Sequence, residues 1–112
     1  MPGSKALLVS DDQTLADVVA RCLRVSRIAI DTEFIRTDTF YPIPALIQIF
    51  DGQQCYLIDP LCINCFQPLI DLFSEQSVEK VVHSCGEDLE VFSSLLGVLP
   101  TPLFDTQIAA GL

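Results

Sequence analysis

The segment Arg27-Ile28-Ala29-Ile30-Asp31-Thr32-Glu33-Phe34 constrains this chain more than any other. It reads as a β-strand, in which successive side chains point to opposite faces. Ile28, Ile30, Thr32 and Phe34 then share one face, and Ala29, Asp31 and Glu33 share the other. Asp31 and Glu33 leave the strand in the same direction, with Cα atoms about 6 to 7 Å apart at roughly 3.3 Å per residue. Two carboxylates aimed together from an apolar strand repel, and burying them is costly unless a cation or solvent receives them. Mg²⁺ and Mn²⁺ are hard cations suited to such oxygen ligands. The plainer alternative is a strand end emerging into solvent, and an Asp-x-Glu triplet alone does not decide between them.

The flanking segments give the strand an α/β setting. Ser10-Asp11-Asp12-Gln13 reads as a helix start with Ser10 as cap and Gln13 reaching back. Leu15, Val18, Val19, Cys22 and Leu23 follow at helical spacing. Arg21, Arg24 and Arg27 lie near the helix end and beyond it, where cations suit the dipole and solubility; a phosphate-facing role is the lesser alternative. Residues 35–44 break periodicity and read as a loop. Ala45 to Phe50 is a second strand, Asp51-Gly52 a two-residue hairpin signal, and Gln53 to Ile58 the partner strand. Cys65 to Phe73 reads as a short helix with Pro68 in its first turn. Ser77 to Val82 is a strand, and Ser84 to Glu87 a capping box followed by Leu89, Val91, Phe92, Leu95 and Leu96. Gly97 ends that helix. Leu103-Phe104 reads as a short buried strand, and Asp105 as the cap of a further helix. The fold class expected is α/β, a mixed β-sheet with antiparallel first strands and flanking helices, C-terminally incomplete at Leu112.

Bulk properties narrow the function. The 112 residues suit one small domain or a piece of a larger one. No apolar run approaches the roughly 18 residues of a membrane span. With no secretory pattern at the N-terminus, the five cysteines read as reduced thiols of a cytoplasmic protein. A net charge of −9 argues against a module that binds nucleic acid by phosphate neutralisation. It does not argue against a nuclease whose carboxylates hold Mg²⁺. Cys62-Ile63-Asn64-Cys65 has zinc-ligand spacing, with His83 and Cys85 as the remaining ligands, but that second half is poor geometry for a strand end and a helix cap. No glycine-rich phosphate loop follows a strand.

A further carboxylate, Asp88, lies in the first turn of the helix after Ser84. Dipole compensation accounts for such a residue, although Glu87 already fills the capping role. If that helix crosses the face bearing Asp31 and Glu33, Asp88 completes a metal site.

Asp31-Thr32-Glu33-Phe34 resembles the first motif of the DEDD-type 3′-5′ exonucleases, in their ribonuclease D branch. Ala45-Leu46-Ile47-Gln48-Ile49 resembles the strand that follows it. The run from His83 to Phe92 resembles the second motif, with Asp88 at the metal-binding aspartate, and Leu99 to Ala110 resembles the next segment. The resemblance implies an RNase H-like fold and two-metal-ion removal of nucleoside 5′-monophosphates from a 3′ end. It implies Asp31, Glu33 and Asp88 as catalytic ligands of two divalent ions, Mg²⁺ or Mn²⁺. Thr32, Phe34 and His83 are then expected near substrate, and Gln48 and Asp105 as supports behind the ligands. For Asp105 helix capping is the stronger expectation, and for His83 a structural hydrogen bond. The implied substrate is RNA with a single-stranded 3′ end, such as precursor tRNA.

The family's third motif, a tyrosine followed by the fourth carboxylate, has no counterpart in residues 1–112, and neither do its accessory helical RNA-binding domains. The chain therefore reads as the N-terminal portion of an exonuclease domain, inactive alone and prone to self-association. The other reading is a non-catalytic exonuclease-like scaffold or protein-binding module.

Overall fold

The structure, a computed structural model, describes residues 6–33, 46–82, 92–93 and 95–105. Strand β1 (Leu7–Val9) leads into helix α1 (Asp12–Cys22), then strands β2 (Arg27–Glu33), β3 (Leu46–Phe50) and β4 (Cys55–Ile58). Helix α2 (Gln67–Ser74) connects to β5 (Glu79–Val82), and β6 (Leu103–Asp105) ends the described chain. The six strands form one sheet in the order β1-β4-β3-β2-β5-β6. Only β3 runs antiparallel to its neighbours. The other pairings are parallel. Five strands therefore point the same way, and Val9, Glu33, Ile58, Val82 and Asp105 end along one edge of the sheet.

The alternation expected in β2 is present. Ile28, Ile30 and Thr32 are buried, while Ala29 and Asp31 are exposed. In β3 and β4 the same face carries Ile47, Ile49, Tyr56 and Ile58. These pack with Leu15, Val18 and Cys22 of α1 and Leu69, Leu72 and Phe73 of α2 in a single core. Phe73 also meets Phe92 edge-on, with ring centroids 5.0 Å apart, a favoured aromatic geometry. Among the described residues, neither α1 nor α2 covers the opposite face of the sheet, where Leu8, Ala29, Asp31, Phe50 and Phe104 stay exposed.

Several boundaries depart from expectation, each for a local reason. Asp11, not Ser10, caps α1, because its carboxylate accepts the Thr14 N–H at 2.7 Å and the Thr14 hydroxyl at 3.0 Å. Gln13 turns down the helix to Asp17 instead of back to the cap. The three-residue strand β1, too short to carry a period, lies beside β4. Helix α2 starts at Gln67 because the N–H groups of Asn64 and Cys65 are already bound to the Asp12 carboxylate of α1. A 3₁₀ turn, Pro60–Cys62, precedes it. The β3-β4 turn occupies residues 51–54, with β4 starting at Cys55. Asp51 organises it by accepting the Gln53 and Gln54 N–H groups at 2.9 and 2.8 Å, and Gly52 takes a positive φ of 101°. β5 begins at Glu79, two residues later than expected.

Residues 92, 93, 95 and 96 are helical, and the chain leaves them at Gly97, where φ is +73°. The rest of the helix expected after Ser84 lies outside the described residues. Leu103-Phe104 is a strand, as expected, but a sheet edge leaves both residues exposed, not buried. Asp105 is the last residue of that strand, and the helix it was expected to cap lies outside the described residues.

Candidate active site

Asp31 stands near the carboxyl end of β2, exposed on the face that α1 and α2 leave uncovered. Its Oδ1 accepts the N–H of Thr32 at 2.8 Å, which turns one lobe of the carboxylate back to its own strand. The other oxygen is not engaged by any described hydrogen bond. Glu33 closes the strand two residues on, paired with Leu46 in the ladder. The side chain of Glu33 lies outside the described residues.

Gln48 is directly opposite Asp31 in the β2-β3 ladder. It is half-buried, and its Nε2 donates to Cys55 Sγ at 3.2 Å. Sulfur is a weak acceptor, so this bond orients the amide more than it stabilises it. Nothing local in the sequence marks Cys55, one strand away, as the partner of Gln48. Thr32 is 8% exposed and its side chain lies on the core face, away from the exposed Asp31.

β2 and β5 pair in parallel. Ala29 is in register with Val81, so β5 ends at Val82 beside Asp31. The segment that starts there is His83 to Asp88. His83, Asp88 and Phe34 lie outside the described residues. On the far side of β5, Asp105 is in register with Val82. Asp31, Glu33, Val82 and Asp105 thus mark one stretch of the sheet's carboxyl edge, where open α/β sheets place their ligands.

The donor chemistry suits a divalent cation. An exposed carboxylate with a free lobe offers a hard oxygen, and such ions need few protein ligands when phosphate supplies the rest. No group of three His, Cys, Asp or Glu that could hold a metal ion occurs among the described residues. Cys62 and Cys65 are exposed. Cys62 approaches the Asp59 carboxylate at 3.5 Å, and that contact pushes its thiol up from its ordinary value, against the thiolate that zinc needs. His83 and Cys85 lie outside the described residues.

A family model described as 3′-5′ exonuclease matches residues 7–112. The chain belongs to the 3′-5′ exonuclease family, in its ribonuclease D branch. It is 48% identical over 101 residues to ribonuclease D of Musicola paradisiaca (strain Ech703), covering 90% of this chain and 27% of that protein. Among solved structures, Escherichia coli RNase D, an exoribonuclease involved in structured RNA processing, superposes with a TM-score of 0.86 at 44% identity. That match covers 95% of this chain and 28% of the other. The Trypanosoma brucei RNase D: GMP complex superposes with a TM-score of 0.78 at 25% identity, covering 92% of this chain and 33% of that one. The fold is the α/β RNase H-like exonuclease fold, and the chain spans just over a quarter of the length of the ribonuclease D proteins it matches. Ribonuclease D membership carries the two-metal-ion nuclease mechanism as the family's chemistry. No helix among the described residues is long and apolar enough to cross a membrane.

Proposed function

We propose that this chain is the metal-binding part of a 3′-to-5′ exoribonuclease that releases nucleoside 5′-monophosphates from RNA with a single-stranded 3′ end. The observation that carries the reading is Asp31, exposed with a free carboxylate lobe at the carboxyl edge of a ribonuclease D-type sheet. Asp31, Glu33 and Asp88 are the proposed ligands of two divalent ions, Mg²⁺ or Mn²⁺. The bound ions would supply activation of water and charge stabilisation at the leaving oxygen. Asp31 contributes a fixed oxygen, because the Thr32 N–H holds one lobe. Gln48, opposite it in the ladder, keeps the neighbouring backbone in place. The backbone of Thr32 and the residues Phe34 and His83 would meet the terminal nucleotide. Asp105 would brace the edge from β6.

A mononucleotide product fits the GMP complex formed by the T. brucei relative. A structured substrate, with precursor tRNA as one case, fits the role given to the E. coli enzyme. The family needs a fourth carboxylate and a tyrosine, for which residues 1–112 offer no match, so the 112-residue chain alone is expected not to turn over. The cytoplasm is the proposed location, from the reduced-thiol reading of the cysteines.

The test is cleavage of a 5′-labelled RNA with a single-stranded 3′ tail, in Mg²⁺ or Mn²⁺, by the full-length protein. A ladder shortening from the 3′ end and lost in Asp31→Ala supports the assignment. A folded full-length protein that yields no ladder would instead favour the scaffold reading.

A further inference from the structure

The end of the sheet away from Asp31 carries a second polar feature. Arg21 and Arg24, at and just beyond the end of α1, line a cleft of about 400 Å³ with Asp51, Gln53, Gln54 and Tyr56. Both arginines are exposed, and the sole ion pair among the described residues belongs to Arg27 and Glu79. The chain has only six Lys and Arg residues against fifteen Asp and Glu. Arg21, Arg24 and Arg27 are half of that positive charge, gathered in seven residues. Dipole compensation accounts for Arg21 in the last turn of α1. It does not account for a cleft shared with donors from a hairpin.

Asp51 is the apparent obstacle to an anion there, but its carboxylate faces other donors. Oδ1 accepts the Gln53 and Gln54 N–H groups, and Oδ2 accepts the Tyr56 hydroxyl at 2.9 Å. Asp51 therefore organises the hairpin wall without taking either guanidinium as a partner, whereas Arg21 hydrogen-bonds the Tyr56 side chain and keeps its other N–H donors for a further acceptor. Two guanidinium forks at one cleft match the oxygens of a phosphate.

The position separates this cleft from the proposed active site. Gln48 pairs with Asp31, and Asp51 lies three residues further on, just past the end of β3, about 10 Å at strand rise. Tyr56, which lines the cleft, lies on the helix-covered face, whereas Asp31 is on the other. We propose that Arg21 and Arg24 bind a backbone phosphodiester of the RNA substrate, upstream of the 3′ end held near Asp31. The inference rests on the exoribonuclease reading for the identity of the ligand.

Binding without cleavage separates the two. Anisotropy of a fluorescent single-stranded RNA would be measured with the full-length protein in EDTA, from 50 to 200 mM KCl. Arg21→Gln with Arg24→Gln is expected to flatten the log-log salt slope by about 0.7, the value for one phosphate contact on single strands. Over that salt range this is about a 2.6-fold smaller loss of affinity. Cleavage of a trinucleotide too short to reach the cleft should stay unchanged. An unchanged salt slope overturns the proposal, whether or not the enzyme cleaves. So does equal displacement of RNA by polyglutamate, which would mark an acidic protein partner, or a cleft that takes inorganic phosphate while the RNA slope stays fixed. An altered slope in a protein that never cleaves keeps the cleft and discards the nuclease.

Discussion

Lys80 is 0% exposed in the middle of β5. Its ammonium donates to the carbonyls of Glu75 and Thr101, each at 2.6 Å. It thereby ties the end of α2 to the segment entering β6. Burial pulls its pKa from 10.5 down to about 8, partly countered by the Glu75 carboxylate. Between those two values the unfolded chain carries the extra proton, so stability rises with pH across the window. The slope approaches about 1.4 kcal/mol per pH unit, or about 3 kcal/mol over the whole interval. Cys22 works in the opposite sense. It is fully buried, and burial pushes its thiol from 9.0 up to about 12, with the Asp51 charge adding to the shift. From pH 9 the unfolded thiol loses its proton while the folded one keeps it, which lowers stability at a similar slope. The two effects together predict a rise of roughly 0.6 kcal/mol from pH 8 to 9. Near-cancellation then follows up to pH 10. Beyond that Tyr56, pushed above 10.0 by burial and by its bond to Asp51, adds to a decline. Urea midpoints of the reduced protein, taken every half unit from pH 7.5 to 11, measure this directly. Lys80→Met should erase the rise and leave a decline beginning near pH 9. A rise that survives in Lys80→Met, or a wild-type midpoint that falls steadily from pH 8, would refute the reasoning.

Other perturbations test the same structure more simply. Phe73→Ala removes a fully buried ring and its edge-on contact with Phe92. It should cost about 3 to 5 kcal/mol in urea unfolding. Asp11→Ala removes the cap of α1 and should cost about 1 kcal/mol by the same measurement. Partial burial raises the Asp51 carboxyl, but the Gln54 and Gln53 N–H groups and the Tyr56 hydroxyl outweigh it and hold the pKa below 3.8. The stability this gives is complete above 3.8 and is lost as pH falls through the lower folded value. Tyr56→Phe should move the Asp51 pKa back up, read by NMR carboxyl titration.

How far the fold could be read from residues depended on whether the cause was local. Alternation in β2 placed Asp31 and Ile30 on their correct faces, because period and burial coincide there. The site's frame was legible for the same reason, with Asp31, Glu33 and Gln48 falling in strands of the expected order. What was not legible depended on distant partners. Ser10 and Asp11 are equivalent as cap residues on paper, and only the Thr14 contacts separate them. The start of α2 is set by Asp12, more than fifty residues earlier in the chain. Lys80 in an apolar strand was a visible anomaly between Val78 and Val82, yet its acceptors are carbonyls that no side-chain pattern announces.

The parallel pairing of β2 with β5 has a kinetic consequence. β3, β4 and α2 can be built from neighbours in sequence, so their closure is quick. β2 cannot meet β5 until the whole intervening chain has been laid down, and the Arg27–Glu79 contact at 2.7 Å spans 52 positions. Long-range closure of this kind is slow, since its loop entropy is lost before any contact offsets it. The carboxyl edge that carries Asp31 and Val82 is therefore among the last parts of the molecule to form.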